Sequence, residues 1–173
     1  MTTPKAKFAG LALIAALCAG FTLGLTAPAW AGFKEGFAAS QRGDYATALR
    51  EWRPLAEQGY ASGQYNLGLM YRNGYGVPQD YAEAVQWYRK AAAQGDGDAQ
   101  NNLGLMYGTG LGVPQDYVQA HKWYNLAATS LPPGKDHDTA TKNRDIVAKK
   151  MTPADVSKAQ KLARAWWAKH GKK

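Results

Sequence analysis

The sequence predicts an all-α fold, a short right-handed α/α superhelical solenoid of about four helical hairpins, and three observations carry that reading. Sliding the 173-residue chain against itself by 36 residues aligns 61–96 with 97–132 and leaves 19 positions identical, the mark of stacked repeats. Apolar residues recur at helical spacing, Leu67 with Tyr71 four apart, then Tyr81, Ala84, Tyr88 and Ala91 at i, i+3, i+7 and i+10. Between the two stripes of each copy stand glycine, proline and aspartate in the order that ends one helix and starts the next.

The N-terminus reads as an export signal. Lys5 and Lys7 precede the apolar run from Phe8 to Leu25, and Ala29-Trp30-Ala31 offers small residues before a cleavage point after Ala31. The alternatives are an uncleaved anchor, which Gly20, Gly24 and Pro28 interrupt, and a lipoprotein, for which Leu17 is too bulky beside Cys18. The expected location is the periplasm or the exterior, with residues 1–31 removed. Cys18 is the only cysteine and lies in that signal, so the remainder forms no internal disulfide and no thiolate metal site.

Residues 32–60 form a degenerate first repeat. Tyr45, Ala48 and Trp52 precede Tyr81, Ala84 and Tyr88 by 36, with Asp44 as the cap, but Arg42-Gly43 replaces the long loop. In the repeats at 61–96 and 97–131, Gly68 and Gly104 sit in mid-helix at a propensity cost of about 1 kcal/mol each, which close approach of a bulky side chain explains. Gly74 and Gly110 end the first helices, and Pro78 and Pro114 keep the linkers extended. Asp80 with Glu83, and Asp116 with Gln119, have the spacing of capping boxes. After Pro132-Pro133-Gly134 a different pair is expected, a segment near 138–150 and a last helix opened by Thr152-Pro153 and running to about Lys169.

Ala99, Leu103, Gly104 and Tyr107, followed by Gly110, Gly112, Val113, Pro114, Asp116 and Tyr117, then by Ala120, Trp123, Tyr124, Ala127 and Ala128, resemble the Sel-one-like repeat family, relatives of tetratricopeptide repeats. The copy before it matches equally well, and the resemblance covers about 33–130. It implies a concave binding face lined by the first helix of each hairpin, which makes Phe37, Tyr65, Leu69, Arg72, Asn101 and Leu105 the candidate contacts for a protein or peptide. Arg72 would meet a carboxylate, and Tyr65 and Leu69 would pack apolar side chains.

Catalytic residues, metal and cofactor are all expected to be absent. His121, His137 and His170 stand far apart without a partner at ligand spacing, and Asp136-His137-Asp138 reads as a solvated turn and helix start. The Gly74-Tyr75-Gly76 and Gly110-Leu111-Gly112 loops follow helices rather than strands, so they are not phosphate cradles. Some cysteine-rich members of the resembled family are linked to penicillin binding and β-lactam hydrolysis, which leaves a cell-wall or β-lactam hydrolase as an alternative. Against it, Ser40, Ser62, Ser130 and Ser157 have no lysine three residues on. Trp87 and Trp123 fall at core positions rather than on a carbohydrate platform.

The net charge of +8 is localised. Residues 32–131 carry 8 basic and 9 acidic side chains, whereas 132–173 carry 11 and 4, so the basic character belongs to the C-terminal cap. On its last helix Val156, Ala159, Leu162, Ala163, Trp166 and Trp167 are expected on one face, with Lys158, Lys161, Arg164 and Lys169 opposite. That charge leaves an anionic membrane surface open as a further partner and a membrane-surface adaptor as a further role, while nucleic acid is not expected for an exported chain.

Overall fold

The computed structural model describes residues 29–171, and the expected export signal, apart from its last three residues, lies outside them. Eight helices follow one another among the described residues: α1 (Ala29–Gln41), α2 (Tyr45–Glu57), α3 (Ala61–Asn73), α4 (Tyr81–Ala93), α5 (Gly97–Thr109), α6 (Tyr117–Ser130), α7 (Lys135–Ala148) and α8 (Pro153–His170). The expected cleavage point after Ala31 falls in the first turn of α1. None of these helices is long and apolar enough to cross a membrane.

The helices pack in sequential pairs, α1 on α2, α3 on α4 and α5 on α6, and each pair is joined to the next through α2 against α3 and α4 against α5. One glycine sets the closeness of each pair. A Cβ on Gly68 would stand 2.7 Å from the Tyr88 ring, and one on Gly104 would stand 2.6 Å from the Tyr124 ring. Gly36 plays the same part against Trp52, at 2.4 Å, which the sequence reading missed because the shorter first loop changes the spacing. Tyr88 is fully buried and Tyr124 nearly so, so these rings fill the hairpin interiors that the glycines open.

The loops end and restart the helices much as expected. Gly74 and Gly110 adopt φ of 71° and 75°, which glycine takes without a steric penalty. Asp80 accepts from the amides of Ala82 and Glu83, and Asp116 from that of Gln119. The second half of the expected capping box is different. The Asp80 N–H donates to the Tyr71 carbonyl and the Asp116 N–H to that of Tyr107, both at 2.9 Å. The cap's own amide thus closes the loop onto the preceding helix, and the Glu83 and Gln119 side chains are not needed for it.

Two further devices fasten each hairpin to the one before, at opposite edges of the seam. At the loop edge Gly76 rests on the Tyr45 backbone and Gly112 on that of Tyr81, where a Cβ would stand 3.0 and 2.3 Å from the carbonyl oxygens. Tyr75 stacks on Tyr45 with ring centroids 4.3 Å apart and planes within 2°. At the other edge the buried Gln64 and Gln100 amides donate to the carbonyls of Ala56 and Ala92, and Gln94 donates to Gly59 and to Gln64 Oε1. These bonds tie the start of one hairpin to the C-terminal ends of α2 and α4, whose Ala56 and Ala92 carbonyls also accept from the Gly59 and Gly95 amides.

The last pair is arranged differently. Both α7 and α8 pack on α6 and make little contact with each other. Ala159 and Ala163 are the buried residues of α8, and Trp166 meets Trp123 edge-on at 6.3 Å. Trp167, expected on the same apolar face, is 41% exposed, because the contact with α6 is narrow and centred on the two alanines. Arg164 overlooks the space between α7 and α8 rather than a wholly solvated face. Asp136, His137 and Asp138 lie in the first turn of α7, as a helix start. Trp123 is a core residue, whereas Trp87 is only half-buried, with Lys90 Nζ 3.8 Å above its ring.

Candidate functional site

The face formed by α1, α3 and α5 carries the six predicted contacts, and the structure divides them into two patches. Phe37 on α1 and Leu69 on α3 come together on the walls of a cleft of about 250 Å³. Phe37 is 51% exposed, unusual for a phenylalanine with a core nearby, and Tyr75 joins it at 41%. Asn66 and Asn73 of α3 supply polar groups at the rim, and Trp52 and Met70 close the floor. The cleft exists because α1 and α3 are held apart by α2 behind them.

The second patch lies between α3 and α5. Arg72 Nη1 donates to Asn102 Oδ1 at 2.8 Å, and Asn102 Nδ2 donates to the Asp98 carbonyl. The guanidinium is therefore held by Asn102 of the neighbouring hairpin. Asn101 is half-buried with its Oδ1 unpartnered, and Leu105 is half-buried one turn further along α5. Tyr65 is half-buried 6.1 Å from the Tyr88 ring. Burial first, and then the Asp98 and Asp96 carboxylates, push its phenol up to about 12. Burial also raises Tyr88 and Tyr124, the latter to about 12, and nearby Arg72 offsets part of each shift. Asp96 and Asp98 are raised chiefly by desolvation.

A cation held by a partly buried amide among neutral phenols can take a carboxylate or a backbone carbonyl, and the neighbouring cleft can take an apolar side chain. Asn66, Asn73, Asn102 and Tyr75 were missed from sequence. A signal for two of them existed, since Asn66 and Asn102 are identities 36 apart, and each makes the same bond to the carbonyl four residues earlier. Among the described residues no group of three His, Cys, Asp or Glu side chains is placed to hold a metal ion.

Stacked hairpins closed by glycine and aromatic residues, with an open face of first helices, define an α/α repeat scaffold. The Sel1 repeat matches the chain at residues 61–96 and 97–130. The chain is similar to the crystal structure of c5321, a protective antigen present in uropathogenic Escherichia coli strains and displaying an SLR fold. The identity is 34% over 83% of this chain and 31% of that one, at a TM-score of 0.76, so this chain spans less than a third of that protein's length. It is also similar to a Sel1 repeat protein from Oxalobacter formigenes, with 32% identity over 68% of this chain and 88% of that one, at a TM-score of 0.59. No curated protein matches. The chain belongs to the Sel1 repeat family.

Proposed function

We propose that this Sel1 repeat scaffold is exported and non-catalytic, and that its first-helix face binds a peptide or protein segment. The exposure of Phe37 and Tyr75 on either side of Leu69 carries the reading. Aromatic side chains lose stability by standing in water, and an apolar side chain inserted between them would recover that loss. Arg72, positioned by Asn102, supplies a directional polar contact on the same face. Burial of anchors beside a polar contact is how grooves of this kind gain both affinity and orientation.

The reading is tested by photo-crosslinking from position 66, on the cleft rim, in the cell envelope. One discrete adduct is expected, lost in Phe37→Ser/Leu69→Ser and retained in Lys90→Gln. An adduct unaffected by the cleft substitutions would remove the groove as the binding surface. Recovery of a full-length chain from the cytoplasm, with its first 31 residues intact, would remove export.

A further inference from the structure

The space left between α7 and α8 is polar where the rest of the stack is apolar. It is a cleft of about 550 Å³ floored by His121 and Asn125 of α6 and walled by Arg144 and Asp145 of α7 and by Gln160 and Arg164 of α8. Val85, which precedes His121 by 36 residues, is buried in the apolar core, so the last repeat places an imidazole where the one before it has a valine. His121 is 3% exposed, and its Nδ1 is buried without a hydrogen-bond partner. A buried polar atom left unpaired destabilises the fold, and packing alone does not require one here, since valine occupies the equivalent site.

The surrounding side chains are similarly unspent. Those of Asn125, Gln160 and Arg164 make no hydrogen bond or ion pair with described residues, and Arg144 directs Nε and Nη2 to one oxygen of Asp145. With His121 neutral, two guanidinium groups face one carboxylate, and the cleft keeps a net positive charge. We infer that this cleft binds a small organic oxyanion, its carboxylate or phosphate group seated between Arg144 and Arg164 above His121, and its polar body against Asn125 and Gln160. Paired guanidinium groups suit oxyanions because each offers parallel N–H donors, and the amides suit hydroxyl groups. Burial, and secondarily Arg144, hold the His121 pKa below its ordinary value, and Asp145 opposes them. An anion arriving beside Arg144 offsets that repulsion, so occupancy should draw a proton onto the imidazole.

The test is a titration of the isotopically labelled full chain with inorganic phosphate, then glycerol phosphate, observing the His121 ring by NMR. Saturable shifts and a rise in the His121 pKa are expected. Arg164→Gln should weaken binding about tenfold or more, and Asp145→Asn should strengthen it by freeing Arg144, a gain that a merely structural carboxylate would not give. Phosphatidylglycerol vesicles that displace glycerol phosphate from the same His121 signal would assign the anion to a lipid headgroup. Vesicles without effect would assign it to a soluble compound, and either result upholds the site. Absence of saturable shifts in a chain that retains its helical circular dichroism would overturn the proposal. So would equal weakening by Lys158→Gln, which lies outside the cleft.

Discussion

A methyl group on Gly68 would stand 2.7 Å from Cδ1 and Cε1 of Tyr88, closer than side-chain carbons approach in practice. Alanine is the better helix former by about 1 kcal/mol, yet overpacking of this kind costs about 1–3 kcal/mol, so Gly68→Ala should lower the thermal midpoint and Gly68→Leu should lower it further. Combining Gly68→Ala with Tyr88→Leu should recover part of the loss. An unchanged midpoint for Gly68→Leu would show that the pair opens without cost.

The Tyr88 hydroxyl is buried without a hydrogen-bond partner. Tyr88→Phe removes only that group, and should therefore be neutral or stabilising by about 1 kcal/mol. Chemical denaturation of the two proteins measures this directly. A clear loss would mean that Arg72 holds the phenol more tightly than its geometry indicates.

The seam at Gly112 can be separated from simple backbone strain. Gly95 and Gly112 both have positive φ, at 92° and 70°, but a Cβ on Gly95 meets nothing within 4 Å, whereas one on Gly112 falls 2.3 Å from the Tyr81 carbonyl oxygen. Gly95→Ala should cost about 1–2 kcal/mol for its conformation alone. Gly112→Ala should cost distinctly more and broaden the unfolding transition, because it loosens one hairpin from the next. Equal losses would show that the loop does not hold the seam.

Asp98 makes a pH-dependent prediction. Desolvation, then Asp96 and Asp136, raise its pKa in the folded protein, so the folded chain holds this proton more tightly than the unfolded one. Stability is then lost as pH rises from about 4, the unfolded value, through the folded pKa, and is fully lost above it. Asp98→Asn should accordingly raise the melting temperature at pH 7 and leave it nearly unchanged at pH 3. The same gain at both pH values would exclude ionisation as the cause.

The two full repeats were legible because their loops, caps and glycines occur twice at one spacing, so each copy checks the other. Gly36 escaped notice because it precedes Trp52 by 16 residues where Gly68 precedes Tyr88 by 20. The separation of α7 from α8 had no second copy to give it a register. His121 accordingly read as an isolated histidine, since only the packing of three helices brings Arg144 and Arg164 beside it. Hairpin order was enough to place Phe37 and Leu69 on first helices, whereas the bond from Arg72 to Asn102 depends on a rotation of α5 that helical periodicity fixes only roughly.

The seam between the first two hairpins is fastened at both edges, by Tyr75 on Tyr45 at the loops and by Gln64 and Gln94 at the opposite ends. A sheet of tiles glued along one edge can fan open, but one glued along two edges keeps its curvature. The cleft between Phe37 and Leu69 spans that doubly glued seam, so its width is set before anything enters it. The backbone walls are thus set in advance, and the ordering entropy of any association falls on the guest and on the exposed Phe37 and Tyr75 side chains.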